Sequence, residues 1–293
     1  MVSAKPLRGA LLFITALLLF SCMDTTTKYL ASRYEVPAVV AVRYIGNLFL
    51  MLALLGPRYG AVMIRAERKG LVLVRSLCLS ATSLLVGFAL QRMPVAETTA
   101  INFLGPMLVV VAAGPMLGEK IGAVGWVAAM LGFAGVILIV RPGSGLDAIG
   151  IFCALAAVGA NVAYQMLSRV LAASERTITL LFYTALVGAI IFGLALPWFV
   201  GGRAPSPFEA LLFASLGVYG GLGHYLFTAA YRFAPASLLA PINYFQLLWA
   251  ALLGWIVFGA IPDAIGLLGM AVIVASGVMI ALRSGRLREA PDE

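Results

Sequence analysis

The chain has 293 residues, of which 62% are hydrophobic and only 11% are charged, and its mean hydropathy is +1.04. A water-soluble protein of this length needs far more polar surface, so the composition excludes that class and indicates a polytopic α-helical membrane protein. The net charge of +8 does not indicate nucleic-acid binding, because no soluble segment interleaves basic and aromatic residues. It is typical of basic loops at the cytoplasmic face of a membrane.

Apolar runs of about 20 residues, the length that crosses the bilayer core, recur along the whole sequence. They predict ten transmembrane helices joined by short connections, so that consecutive helices are antiparallel neighbours. The predicted helices, numbered 1 to 10 in chain order, span about 7–30, 37–55, 70–90, 94–116, 121–140, 146–170, 177–200, 207–231, 235–258 and 262–282.

The two halves of the chain share a sequence pattern. The segment 90–125 returns without a gap as 231–266, with a proline at a helix start, Ile-Asn seven and eight residues later, and a glycine at the next turn. We therefore predict two repeats of five helices, residues 1–145 and 146–293. The aligned identities pair Pro94, Ile101, Asn102, Gly118, Ala123 and Gly125 with Pro235, Ile242, Asn243, Gly259, Ala264 and Gly266.

The distribution of basic residues predicts the orientation of these repeats. Most of the 20 Lys and Arg residues fall in the loops on the side of the N-terminus, which predicts that both termini are cytoplasmic. Five helices are an odd number, so the second repeat enters the membrane from the opposite side. Inverted repeats of this kind build similar gates on the two faces of the membrane around a central site.

Four stretches resemble the EamA family of the drug/metabolite transporter (DMT) superfamily. They are VPAVVAVRYIGNLFLMLAL at 36–54, RMPVAETTAINFLGPMLV at 92–109, LGEKIGAVGWVAAMLGFAGVILI at 117–139 and APASLLAPINYFQLLWAALLGWIVFG at 234–259. The resemblance implies an EamA-like fold of two five-helix repeats, and a transporter of small organic metabolites in a bacterial-type inner membrane. It also implies that the substrates are amino acids or related metabolites, more often exported than imported.

Two features depart from the family pattern. Ala260 stands where the second repeat often carries an acidic residue, matching Glu119 in the first. Helix 1 lacks the tryptophan that is common near its middle.

Two asparagines fall near the middle of the membrane. Asn102 and Asn243 each lie eight residues after a helix-starting proline, which places each about 12 Å from its own end of the helix. Because the repeats are inverted, both amides are expected near the bilayer midplane. They either form a hydrogen bond between helices 4 and 9 or face a central substrate cavity. The nearby Pro106 and Pro241 either form gating breaks in these helices or are ordinary membrane-helix prolines.

Other candidate substrate-binding residues combine aromatic rings with amides and hydroxyls, a lining that suits a small amphipathic solute. Each aromatic residue alone is more often a packing residue or an interfacial anchor than a ligand, whereas the set together favours a cavity. The single histidine has no Cys, Asp or Glu nearby at ligand spacing, so we predict neither a metal site nor a cofactor. These candidates are Tyr244, Gln246, Trp249, Asn161, Tyr164, Ser80 and His224.

Four ionisable residues lie inside predicted spans, where charged side chains usually pair or serve a substrate or proton route. Asp24 is the first candidate for a coupling or gating acid, with an ion pair to Lys28 as the alternative. Glu97 is a second candidate, although at the start of helix 4 it also suits helix stabilisation. Arg43 and Arg75 either form structural salt bridges or attract a substrate carboxylate.

The leading hypothesis is a secondary active or facilitative transporter that exports amino acids or similar metabolites by alternating access. The alternative is an uptake permease for a nucleoside-like or S-adenosylmethionine-like solute. A membrane enzyme is disfavoured because no nucleophile–base cluster or metal motif is present, and a channel would need rings of charges or carbonyls. No Walker A motif is present, so the chain does not hydrolyse ATP. The expected partners are a small-molecule substrate and the lipid bilayer, with a homodimer possible and no nucleic acid.

Overall fold

A computed structural model describes residues 6–117, 123–141, 143–172, 174–199, 201, 204–234, 238–239 and 242–289. All regular secondary structure in these ranges is helical, apart from turns, and a short 3-10 helix covers Gly60–Met63. The α-helices are α1 Pro6–Ala31, α2 Val36–Tyr59, α3 Lys69–Arg92, α4 Val95–Asn102, α5 Leu104–Leu117, α6 Ala123–Val140, α7 Ala148–Leu171, α8 Thr177–Phe199, α9 Pro207–Ala230, α10 Phe245–Phe258 and α11 Ala264–Glu289.

Six helices within the described ranges are long and apolar enough to cross a membrane, and four apolar helices are shorter. The predicted class, an all-helical membrane protein, is confirmed, but the count of ten spans is not. Predicted helices 4 and 9 account for part of the difference between the ten predicted spans and the six long helices observed. Helix 4 consists of α4 and α5, and the longest described part of helix 9 is α10, because residues 235–237 and 240–241 lie outside the described ranges.

The break in predicted helix 4 has a local cause. In a continuous helix the amide of residue 106 would donate to the carbonyl of Asn102, but Pro106 has no N–H, and its ring collides with that carbonyl. Helix α4 accordingly ends at Asn102, and the amide of Phe103 closes the last turn on the carbonyls of Thr99 and Ala100, at 3.1 Å each. The new helix α5 then starts at Leu104, with Pro106 in its first turn, where proline is tolerated.

The described chain forms two compact units, and the division falls inside α1. The first unit draws on Met1–Cys22, Met93–Asp147 and Leu222–Glu293, and the second on Met23–Arg92 and Ala148–Gly221. Each unit therefore contains segments from both halves of the sequence. The division into repeats at residue 145 stays a prediction.

In the second unit, α2 packs against α3 and α8, and α3 packs against α7 and α8. Tyr44 of α2 lies in a buried apolar cluster with Val40 and Phe192, and its hydroxyl pairs with Ser83 Oγ at 2.9 Å. Helices α2 and α9 meet at glycines, since a Cβ built on Gly217 would lie only 3.1 Å from the backbone of Gly46. Small residues thus allow the close helix contact that the Gly217-x-x-x-Gly221 pattern indicates.

In the first unit, α6 and α11 form an extended pair. A Cβ built on Gly135 would lie 2.7 Å from the carbonyl oxygen of Gly269, so the two backbones nearly touch. Ser276 Oγ donates to the carbonyl of Ala128 at 2.5 Å across the same pair. The contact therefore depends on small residues and one interhelical hydrogen bond, which is the usual way in which helices associate in a bilayer.

The start of α11 is held by an exposed acid. Asp263 Oδ1 accepts a hydrogen bond from the amide of Gly266 at 2.7 Å, and its other oxygen pairs with Arg141. The backbone hydrogen bond, followed by the bond to Arg141, holds the pKa of Asp263 below its ordinary value. The stability that this acid contributes is therefore present above the ordinary carboxyl pKa and is lost as the pH falls through the lowered one.

Replacing Gly135 with alanine is expected to destabilise the protein, because the new methyl group needs space that the backbone of α11 occupies. The expected cost is about 1–3 kcal/mol, the range for overpacking a close contact. The matched control is Gly159→Ala in α7, where a Cβ would meet no atom within 4 Å. Thermal unfolding in detergent should show a lower midpoint for Gly135→Ala and an unchanged or higher one for Gly159→Ala. Equal midpoints would contradict the packing.

Candidate functional site

Two aromatic rings meet where the two halves of the sequence align. Phe103 and Tyr244 are related by the same offset as Asn102 and Asn243, and both are buried in the first unit. Their ring centroids lie 4.9 Å apart. Both residues sit at a helix interruption, between α4 and α5 and immediately before α10. Equivalent positions of the two halves therefore contact each other within the first unit.

The two candidate asparagines directly precede this aromatic pair. Asn102 and Asn243 are both half-buried. Among the hydrogen bonds of the described residues, neither amide side chain takes part in one. The hydrogen bond between helices 4 and 9, one of the two alternatives, is therefore not observed in that part of the chain. Two amides at helix interruptions are left with donors and acceptors that a polar solute can use.

The remaining candidates on α10 differ in their surroundings. Ser21 Oγ donates to the backbone carbonyl of Gln246 at 3.2 Å, which ties α1 to the start of α10. Trp249 packs against the buried cluster of Phe13 and Leu17. Its indole Nε1 is buried and has no hydrogen-bond partner among the described residues. A buried indole N–H is normally paired, so this donor is available to a polar group that approaches it.

Tyr244 and His224 also lie in the first unit. A Cβ on Gly277 of α11 would overlap the Tyr244 hydroxyl, so the ring lies directly against the backbone of that helix. His224 is exposed, and its ring lies 4.9 Å from that of Phe20. The described residues contain no group of three His, Cys, Asp or Glu side chains that could hold a metal ion.

Arg75 is a buried cation held by neutral groups in the second unit. Its Nε donates to Ser168 Oγ at 2.7 Å, one terminal nitrogen donates to Thr184 Oγ1 at 2.9 Å, and the other donates to the Tyr164 hydroxyl at 2.8 Å. A fourth bond reaches the carbonyl of Leu180 at 3.2 Å. These bonds join α3 to α7 and α8. Four of the five guanidinium N–H groups are thereby used, so Arg75 is a structural clamp, and its bonds fix Tyr164.

Two further candidates lie in the second unit. Asn161 is half-buried on α7, one helical turn before Tyr164. Ser80 is buried on α3, and its Oγ has no hydrogen-bond partner among the described residues. It lies one turn before Ser83, the residue that pairs with the Tyr44 hydroxyl, and residues three apart share a helix face.

The candidate coupling and gating residues fall in different environments. Asp24 is half-buried in α1 and interacts electrostatically with Arg43 of α2. No salt bridge joins Asp24 to Lys28 in the described residues, and the Lys28 ammonium donates to the carbonyl of Leu90 at 2.8 Å. Glu97 is buried in the first turn of α4, where its carboxylate suits the helix dipole.

The two candidate prolines are not equally described. Pro106 is the third residue of α5, one turn after the break. Pro241 lies outside the described residues.

Sequence reasoning alone did not single out two features of this arrangement. Phe103 was not a candidate, although the repeat offset that pairs Asn102 with Asn243 also pairs Phe103 with Tyr244. The bonds of Arg75 could not be foreseen, because its four acceptors come from α7 and α8, about 90 to 110 residues away in the sequence.

Apolar spans with polar side chains within them define an integral membrane protein. The chain belongs to the EamA-like transporter family, whose profile matches residues 7–141 and again residues 148–282. It is a multi-pass membrane protein that transports small molecules and is not an enzyme.

Similar proteins are named for different solutes. A riboflavin transporter of Vibrio cholerae is 26% identical over 95% of this chain and 94% of its own length. An S-adenosylmethionine uptake transporter of Rickettsia bellii is 26% identical over 92% of this chain and 91% of its own length. A pseudopaline exporter of Pseudomonas aeruginosa is 26% identical over 93% of this chain and 95% of its own length.

A solved crystal structure shares the fold. It aligns with a TM-score of 0.67 over 96% of this chain and 99% of its own, at 22% identity. An identity this low supports the fold and says nothing about the substrate.

Replacing Arg75 with glutamine is expected to destabilise the second unit, because the hydroxyl and carbonyl acceptors on α7 and α8 lose a shared donor. The expected cost is about 1–3 kcal/mol, the usual penalty for unpaired buried polar groups. The control is Arg58→Gln in α2, where the side chain is exposed. Thermal unfolding in detergent should show a lower midpoint for Arg75→Gln than for Arg58→Gln. An Arg75→Gln protein as stable as the control would show that the clamp contributes nothing to stability.

Proposed function

We propose that this protein is a secondary transporter that exports amino acids or similar small amphipathic metabolites by alternating access. We place it in a bacterial-type inner membrane with both termini in the cytoplasm. The observation that carries the proposal is the pair of half-buried amides, Asn102 and Asn243, which precede equivalent helix interruptions and make no hydrogen bond among the described residues. An amide within a membrane span is costly unless it meets another polar group, and a transported solute supplies one.

The helix interruptions support a role in substrate binding. Pro106 removes the donor that the Asn102 carbonyl would otherwise meet, so backbone and side-chain polar groups are exposed at one place. Transporters commonly use discontinuous helices of this kind to bind substrates. We assign the first-unit candidates Tyr244, Gln246, Trp249 and His224 to substrate binding, because they supply an aromatic surface with a few polar groups.

We also assign the second-unit candidates Ser80, Tyr164 and Asn161 to substrate binding, for different reasons. Ser80 offers a buried hydroxyl without a partner among the described residues. The Tyr164 hydroxyl is fixed by Arg75, and Asn161 lies on the same helix one turn earlier. A polar group held in one orientation loses little entropy on binding a solute.

Gating is assigned to the helix breaks and to the acids within the spans. The one-residue interruption at Phe103 separates α4 from α5, so the two segments can tilt independently, with Pro106 keeping the break in place. Pro241 is proposed for the same role in the second repeat. Asp24 and Glu97 are the acids that we propose to change partners during the transport cycle.

An uptake permease for a nucleoside-like or S-adenosylmethionine-like solute is the second candidate. The relatives support this alternative, because they include proteins named for uptake as well as one named for export. The same inverted architecture serves either direction, since the direction of net flux follows the driving gradient.

Counterflow in proteoliposomes tests the proposed substrate class. Vesicles loaded with an unlabelled amino acid are expected to accumulate the same labelled amino acid transiently, because an alternating-access carrier exchanges substrate across the membrane. Protein-free vesicles are the control, and riboflavin and S-adenosylmethionine are measured in parallel. If riboflavin or S-adenosylmethionine shows counterflow and no amino acid does, that solute replaces amino acids as the proposed substrate. Non-saturable flux without trans-stimulation would contradict the carrier mechanism.

Removing either amide is expected to weaken binding of the transported solute. Asn102→Ala and Asn243→Ala should each reduce affinity about 3- to 10-fold, the worth of one neutral hydrogen bond. Ligand-induced thermal stabilisation in detergent measures the change. The control, Asn47→Ala in α2, removes a half-buried amide that we do not place at the substrate. If both variants bind like the parent protein, these asparagines do not contact the substrate.

A further inference from the structure

Six basic side chains lie together at one end of the second unit. They come from the last turn of α2, the connection from α2 to α3, the last turn of α7 and the residue before α8. The only acids within the same stretches of sequence, 58–69 and 169–176, are Glu67 and Glu175. The six residues, which we call the basic surface, are Arg58, Arg65, Arg68, Lys69, Arg169 and Arg176, and all are exposed.

Hydrogen bonds and apolar packing hold the two turns of the basic surface against each other. Glu175 Oε1 accepts a hydrogen bond from the backbone amide of Arg68 at 2.6 Å, which ties the α7–α8 turn to the start of α3. The Tyr183 hydroxyl of α8 donates to the carbonyl of Ile64 at 3.0 Å. Met63, the residue before Ile64, is only 2% exposed. The basic side chains therefore extend from one fixed backbone surface and not from two independent loops.

The charge of this surface is not neutralised by the two neighbouring acids. Glu175 is buried, and its carboxylate is bonded to a backbone amide. Glu67 is exposed and forms no salt bridge within the part of the chain that the structure describes. In the same part of the chain, five of the six basic side chains make neither a hydrogen bond nor a salt bridge, and these are Arg58, Arg65, Arg68, Lys69 and Arg176. Their donors are therefore available to an anionic partner.

The equivalent positions in the other half of the sequence are mostly not basic. The two segments that match the family profile begin 141 residues apart, and this offset carries the basic surface onto Phe199, Ser206, Glu209, Ala210, Lys28 and Glu35. These positions belong to the opposite end of the unit, since Glu35 precedes α2 and Phe199 ends α8. Arg33, a basic residue at that end, is paired with Glu209 at 3.8 Å. A dense, unpaired cluster is therefore not a general property of the helix ends in this unit.

The level of the basic surface along the helices indicates what kind of anion it meets. Helices α2, α3, α7 and α8 are four of the six long apolar helices, and the ends of such helices lie at the lipid headgroups. Tyr59 and Ile64, which lie among the cations in the sequence, are 37% and 57% exposed. Exposed tyrosine is typical of the headgroup level. Cations spread over the ends of four helices suit several neighbouring headgroups better than one small anion.

We propose that the basic surface binds the phosphate headgroups of anionic phospholipids in the leaflet that it faces. Its guanidinium and ammonium groups donate charge-assisted hydrogen bonds to the lipid phosphates, while Tyr59 and Ile64 contact the adjoining glycerol and acyl region. The bound lipids cover the α2–α3 and α7–α8 turns, on the side of the membrane where we place both termini. This lipid site goes beyond the proposed function, because it depends neither on the transported solute nor on the direction of transport.

The test compares two lipids that differ only in their headgroups. The full-length protein in a neutral detergent is titrated with dioleoyl phosphatidylglycerol, which is anionic, or with dioleoyl phosphatidylcholine, which is zwitterionic. The rise of the thermal unfolding midpoint during the titration gives the apparent affinity for each lipid. Phosphatidylglycerol is expected to bind about 5- to 25-fold more tightly, the worth of one or two basic side chains near a headgroup. High salt should reduce this preference, because exposed charges are screened.

Single charge removals on one helix provide the matched comparison. Lys69→Gln, at the start of α3, is expected to lower the affinity for phosphatidylglycerol about 5-fold and to leave that for phosphatidylcholine unchanged. The control is Arg92→Gln, which removes an exposed cation at the other end of the same helix and should change neither affinity. Arg65→Gln should act like Lys69→Gln, and it covers the case in which Lys69→Gln does not fold. Lys69→Arg, which keeps the charge, should retain the preference.

Three results would overturn the lipid site. Equal affinities of the parent protein for the two lipids would show that the headgroup charge is not recognised. An equal loss of affinity in Lys69→Gln and Arg92→Gln would show that only the net charge of the protein matters. Inorganic phosphate that stabilises the protein as strongly as phosphatidylglycerol at the same concentration would make the ligand a free anion. A preference for phosphatidylglycerol that is lost at Lys69 and Arg65 but kept in Arg92→Gln supports the site, and no transported solute is needed to measure it.

Discussion

The absence of water in the bilayer core is the constraint on which this structure depends. Every polar group placed there must find a partner within the protein or in a solute. Arg75 meets this requirement with four hydrogen bonds to groups from two neighbouring helices. The asparagines at the helix interruptions and the side chains of Asp24 and Arg43 do not satisfy it within the described residues. The contrast separates polar residues of the spans that have partners on neighbouring helices from those that have none among the described residues.

Small residues replace the hydrophobic effect as the organising force between the helices. Lipid tails are as apolar as leucine, so helices associate through close packing and interhelical hydrogen bonds. The contacts of Gly135 with Gly269 and of Gly46 with Gly217 bring backbones together, and Ser276 adds a hydrogen bond across one of these pairs. Packed in this way, each compact unit is held by contacts that a single methyl group disturbs.

The helix interruptions connect the fold to transport. The break at Phe103 costs backbone hydrogen bonds, and it persists because a continuous helix through Pro106 would lose a donor and bring the proline ring against a carbonyl. The rings of Phe103 and Tyr244 then meet in a tilted contact within the first unit. The same local chemistry therefore places a helix break, an aromatic pair and two amides within a few residues of one another in the first unit, which are features of the kind that the proposed carrier would use.

The sequence by itself determined the membrane class, most helix bounds within about two residues and the family, since these follow from apolar run length and local motifs. It also located the asparagines and Asp24 by their positions along single helices. Only the tertiary structure decided which polar groups are satisfied. Arg75 and Arg43 are indistinguishable as apolar-span arginines in the sequence, and their partners come from helices far along the chain. Pairing across such distances depends on how helices pack, which local sequence does not encode.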